Sequence, residues 1–119
     1  MAKNKKIGQI GEELAANFLI EKGYEILEKN WRYSNAEIDI IAKDRDILVF
    51  IEVKTRSSDY YGAPEEFVSA RQSELIFKAA QSYTEQIAYD WAIRFDIISL
   101  LKDNTRMAFS IKHIEDVYH

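Results

Sequence analysis

Two apolar runs, Ile38-Asp39-Ile40-Ile41-Ala42 and Ile47-Leu48-Val49-Phe50-Ile51, are separated only by the polar stretch Lys43-Asp44-Arg45-Asp46. Short β-branched runs so closely spaced read as core strands joined in an antiparallel hairpin. A chain with that hairpin at its centre must build a sheet and cover it. The hairpin also carries charge where burial disfavours it. Asp39 interrupts the first run, and Glu52 and Lys54 follow directly on the second.

The flanking segments supply the cover. Ile7, Ile10, Leu14 and Phe18 recur at three- and four-residue steps, which predicts an amphipathic helix from about Ile7 to Lys22, ended by Gly23. Residues 24–33 read as a strand. After a loop from Ser57 to Ala63, Pro64-Glu65-Glu66 marks a helix start, and the stripe Val68, Leu75, Ala79, Tyr83, Ile87 carries that helix to about Gln86. Trp91 to Leu101 is a further buried strand, and Arg106 to Ile111 an edge strand. Strand, long helix and buried strand predict a right-handed parallel crossover, hence an α/β fold with a mixed sheet flanked by helices.

Length and composition bound the rest. The 119 residues read as one domain, 1–119, able to bury about two-thirds of the unfolded surface. No apolar stretch approaches the roughly 20 residues of a membrane helix, so no membrane partner is expected. With no cysteine, thiolate metal sites are excluded, and a cytoplasmic address fits. The net charge of −4 lowers the expectation of nucleic-acid binding. The acidity lies in residues 57–119, however, and a cation among the carboxylates of the first half would offset part of theirs.

Alternation along strands sets Glu52 and Lys54 on one face, and Glu37 and Asp39 likewise. A turn centred on Asp44-Arg45 places Ala42 opposite Ile47, Asp39 opposite Phe50 and Glu37 opposite Glu52, and any even slip keeps the shared face. Carboxylates converging beside an apolar sheet repel one another and resist desolvation, so one takes up a proton unless a cation is present. Oxygen ligands without cysteine or paired histidine suit Mg²⁺ or Mn²⁺. Lys54 is then placed to act on a water or a phosphate oxygen, which completes the parts for phosphodiester hydrolysis. Plainer readings stand beside this one. Asp39 capping a backbone group, Glu52 and Lys54 at a solvated strand end, or an Asp39–Lys54 ion pair would each use the same residues.

Gly8-x-x-Gly11-Glu12-x-x-Ala15, Gly23-Tyr24-x-Ile26-Leu27-x-x-Asn30-x-Arg32, Glu37-Ile38-Asp39-Ile40-Ile41-Ala42, Phe50-Ile51-Glu52-Val53-Lys54-Thr55-Arg56 and Arg94-x-Asp96 together resemble the YraN-type uncharacterised protein family. That family is related to the PD-(D/E)-x-K nucleases and the Holliday-junction resolvases. The resemblance implies a restriction-endonuclease-like three-layer core and a Mg²⁺ or Mn²⁺ site. By position, Asp39 and Glu52 would be metal ligands, Lys54 the catalytic lysine and Glu12 the helix-borne acid. DNA, branched or otherwise structured, is the implied substrate. Ala36 replaces a common glycine, and Arg71 stands where lysine is frequent.

On the first helix Glu12 lies in line with Ala15 and Leu19, whereas Glu13 lies with Asn17 on the far side, so Glu12 is preferred; Glu13 and Glu37 stay open as substitutes. Thr55, Arg56, Tyr60, Tyr61, Arg71 and Gln72 are candidates for DNA contact. Lys3, Lys5 and Lys6 read as a solvated terminus that could reach DNA, and His113 and His119 as structural or surface residues. A symmetric junction would suit a homodimer. The competing reading of the whole chain is a non-catalytic module that keeps the fold to bind DNA or a protein.

Overall fold

The structure is a computed structural model describing residues 2–57, 70–103, 105 and 108–118, with side chains placed from residue 8 and again from Ser73. Helix α1 (Ala2–Glu21) precedes strands β1 (Glu25–Tyr33), β2 (Ala36–Asp44) and β3 (Ile47–Ser57). Helix α2 (Ala70–Gln86) and strands β4 (Ile93–Asp103) and β5 (Ala108–Ile114) complete the elements of the described residues. The sheet order is β1-β2-β3-β4-β5. Only β3 and β4 are parallel; the other neighbours are antiparallel, so the sheet is mixed as the sequence predicts.

Alternation along β3 divides the core. Val49 and Ile51 pack with Ala15, Ala16 and Leu19 of α1. Leu48 and Phe50 pack with Ile76, Ala79, Ala80 and Tyr83 of α2. The helices therefore cover opposite faces, giving the three layers of a restriction-endonuclease-like core. Each fully buried Ile, Leu or Phe in these layers contributes about 1.5–3 kcal/mol.

Four expectations need correction. Helix α1 begins at Ala2 rather than near Ile7, so Lys3, Lys5 and Lys6 belong to its first turns. Leu14 and Phe18 pack against the α1-side core as expected, but the fully buried residues are Ala15, Ala16 and Leu19, and Ile10 is exposed. Small residues win because the helix lies close on the sheet: a Cβ at Gly11 would collide with the Thr55 side chain of β3. Ile87 lies just past the end of α2 and is exposed, and Ile76 of α2 is the isoleucine in the core. The hairpin turn is tighter than expected, with Asp44 opposite Ile47 and Ile40 opposite Ile51. Only Arg45 and Asp46 connect the strands, Arg45 in the left-handed region at φ 57°. The slip is two residues, so alternation is kept. The proposed helix start at Pro64-Glu65-Glu66 lies outside the described residues.

Both helices stop by the same device. Gly23 (φ 96°) and Ala88 (φ 52°) are left-handed. Tyr24 N–H donates to Leu19 O and Tyr89 N–H to Thr84 O, closing a Schellman motif at each C-terminus.

Candidate functional site

Strands β2 and β3 pair from Asp44–Ile47 up to Ile40–Ile51 and then separate. Asp39 stands at that fork. Its Oδ2 accepts the Val53 N–H at 2.8 Å, taking the place of a ladder carbonyl where the ladder ends. Alternation fails here as well: Ile38 packs in the α2-side core and Ile40 in the α1-side core, although residues two apart share a face in a regular strand. Across the sheet, Asn30 of β1 is left-handed at φ 53°, between the pairs Lys29–Ile40 and Trp31–Ile38. The kink lets Asp39 turn into the fork. The simple shared-face picture for Glu37, Asp39 and Glu52 is corrected accordingly: Asp39 turns out of the regular alternation at the seam, and Glu37 and Glu52 act on it through their charge.

Glu52 and Lys54 follow on β3. Lys54 Nζ lies 3.5 Å from Glu52 Oε2, and both side chains are mostly buried. The lysine thus pairs with Glu52, not with Asp39. Glu37 takes Arg32 as its partner at 2.9 Å across β1–β2. Glu12 is half-buried and Glu13 exposed. The Gly11–Thr55 approach holds this part of α1 over the end of β3. Burial first, then the charges of Glu52, Glu12 and Glu37, push the Asp39 carboxyl up to about 7, against one stabilising hydrogen bond from Val53. Burial also raises Glu52, opposed by Lys54.

The donor set suits a hard divalent cation: carboxylate oxygens, no sulfur, and acids destabilised by one another. Among the described residues, no three acids or histidines yet converge within ligating range. Asp39 and Glu52 are the pair at the fork, with Glu12 and Glu37 in electrostatic reach of Asp39. Thr55 packs beneath Gly11, and its carbonyl accepts from Arg56 Nη1 at 2.9 Å. Tyr60 and Tyr61 lie outside the described residues, as do the side chains of Arg71 and Gln72. The backbone of the latter two forms the start of α2 as described.

A second charged cluster surrounds the Arg94-x-Asp96 motif, to which the sequence assigned no role. Asp96 of β4 is 1% exposed, the one buried charged residue among those described. It accepts from Arg94 Nε and Nη2 at 2.9 Å each, and from the Asp116 N–H at 3.0 Å. His113 Nε2 lies 2.7 Å from Asp96 Oδ2, and Lys22 Nζ 2.8 Å from His113 Nδ1. A lysine ammonium only donates, so Nδ1 accepts and the ring carries its proton on Nε2, pointed at Asp96. Arg94 also donates to Tyr24 Oη at 2.7 Å. Burial alone would raise Asp96, but the bonds from His113, Arg94 and the Asp116 N–H hold it below the usual carboxylate range. The signal was in the sequence: an acid inside the apolar run Phe95–Leu101, the same pattern as Asp39.

Comparison with known proteins agrees with the motifs. The profile of Uncharacterised protein family UPF0102 matches residues 11–100. A UPF0102 protein of Flavobacterium psychrophilum is 46% identical over 100% of this chain and 98% of its own. One from Christiangramia forsetii is 44% identical over 99% and 98%, and one from Clostridium botulinum 43% over 97% and 95%. The chain belongs to the UPF0102 family, the YraN-type family whose motifs its sequence carries.

Proposed function

We propose that the chain is a divalent-metal-dependent endonuclease-like protein hydrolysing phosphodiester bonds in DNA, branched or structured DNA in particular. The contrast between its two strand-embedded aspartates carries the reading. Asp96 is neutralised by Arg94 and hydrogen-bonded throughout. Asp39 has one backbone donor and three acids around it. A fold that fully compensates one acid and crowds the other with like charge leaves a place for a cation at the second.

Asp39 and Glu52 would hold Mg²⁺ or Mn²⁺, with Glu12 as third acid. The ion, when bound, would supply Lewis-acid stabilisation of the phosphoryl oxygens. Lys54, held by Glu52, would bring its ammonium to the negative charge developing on the phosphoryl group. The apolar layers above and below fix the strand ends that carry these groups.

Purified protein incubated with labelled four-way and linear DNA in Mn²⁺ tests this. Cleavage by the wild type and none by the Asp39→Ala plus Lys54→Ala variant is expected. Equal product from that variant would remove the assignment. One observation favours a non-catalytic binding module instead: the described acids do not gather three ligands within range. DNA binding without cleavage in Mn²⁺ would support that alternative.

A further inference from the structure

At the far end of β3 from the acid fork, the β2–β3 turn and the link from α2 to β4 enclose an open cleft of about 430 Å³, lined by Lys43, Asp46, Tyr89 and Trp91. The Trp91 indole is 72% exposed, an unusual position for the largest apolar side chain. Its platform is rigid. Tyr89 follows the left-handed Ala88 in the Schellman motif that ends α2. Its hydroxyl shares one proton between Ala92 O, at 2.7 Å, and Asp46 O, tying the link to the hairpin turn. Trp91 stands edge-on to Tyr89 with centroids 5.6 Å apart, and Lys43 Nζ lies 5.9 Å over the Tyr89 ring.

We infer that this cleft binds an unpaired nucleobase of single-stranded DNA. The chemistry of the lining selects that ligand. An exposed indole beside a fixed phenol offers a π surface on which a flat ring stacks. Lys43 brings a donor and Asp46 an acceptor to the rim, and the polar edge of a base displays both kinds of group. The cleft is of ligand size yet open, which suits a ring still attached to a chain outside it. Asp46 and Glu52 are six residues apart on the hairpin, about 20 Å along the strand, so a loosened strand could reach from the fork to the cleft. The inference rests on the proposed action on DNA only for that continuity.

Tryptophan fluorescence tests it, in EDTA so that the cation site plays no part. The chain has two tryptophans, and Trp31 is half-buried, stacked on Tyr33 and edge-on to Tyr83. Oligothymidylate should quench the wild-type emission saturably. By anisotropy of labelled oligonucleotide, Trp91→Leu should weaken binding roughly tenfold and Lys43→Ala about fivefold. Unchanged affinity in Trp91→Leu would overturn the inference. So would quenching by a phenylalanine-rich peptide without tryptophan but not by oligothymidylate, which would make the cleft a protein-docking site. Base binding without cleavage in Mn²⁺ would leave this cleft standing and remove only the nuclease reading.

Discussion

The Asp39 carboxylate accepts the Val53 N–H at 2.8 Å where β2 parts from β3, so a side chain occupies the position of a ladder carbonyl. That single bond does not offset its burial beside Glu52, Glu12 and Glu37, and the carboxyl is pushed up to about 7. Between the ordinary value of 3.8 and about 7, the folded protein keeps a proton that the unfolded chain has released. Metal-free stability therefore falls as pH rises through that window and levels off above it. Asp39→Asn should remove this slope and raise stability at pH 8 in EDTA by about 1–3 kcal/mol. Urea denaturation at pH 5 and pH 8 measures both. A destabilised Asn variant at pH 8 would identify Asp39 as a structural acid.

Asp96 should behave in the opposite way. Its carboxyl is held low by His113, Arg94 and the Asp116 N–H, so its contribution is present above the ordinary carboxylate value and lost as pH falls through the lowered one. Asp96→Ala leaves Arg94 and His113 without their shared partner and should cost about 3–5 kcal/mol at pH 7. Thermal or urea unfolding would show it, and a loss below 1 kcal/mol would contradict the network's role.

Gly8 and Gly11 sit three residues apart on α1 and should respond with opposite signs. A Cβ at Gly8 meets nothing within 4 Å, so Gly8→Ala should stabilise by about 0.5–1 kcal/mol through helix propensity. A Cβ at Gly11 collides with Thr55 Oγ1, and turning the hydroxyl away still leaves tight contacts, since Thr55 Cβ and Cγ2 lie at 3.3 and 3.4 Å. Gly11→Ala should cost about 1–2 kcal/mol net. Denaturant midpoints of the two variants give the comparison directly.

Ala88 holds a left-handed conformation that glycine adopts freely. Ala88→Gly should stabilise by about 0.5–1 kcal/mol, since relief of the Cβ strain outweighs the added freedom of the unfolded chain. A drop in melting temperature would contradict the Schellman assignment.

Much of this was legible in the sequence because periodicity reports burial. The hairpin, the edge strand, the crossover pair and the stop at Gly23 follow from alternation, spacing and a turn residue. The left-handed Asn30 was not legible, since asparagine in a strand does not announce a positive φ, and with it went the kink that turns Asp39 into the fork. Composition also could not separate Asp39 from Asp96. Both sit inside apolar runs, and only the fold decides which acid meets Arg94 and His113 and which meets other acids. The depth of α1 was hidden for a related reason: the sequence advertises Ile10, while Gly11 sets the distance.

Calorimetric titration of the purified chain with Mn²⁺ at pH 8 tests the central claim most directly. The account predicts saturable binding that is lost in Asp39→Asn and in Glu52→Gln, with both variants still folded. No saturable binding, or binding of equal strength in both variants, would contradict it.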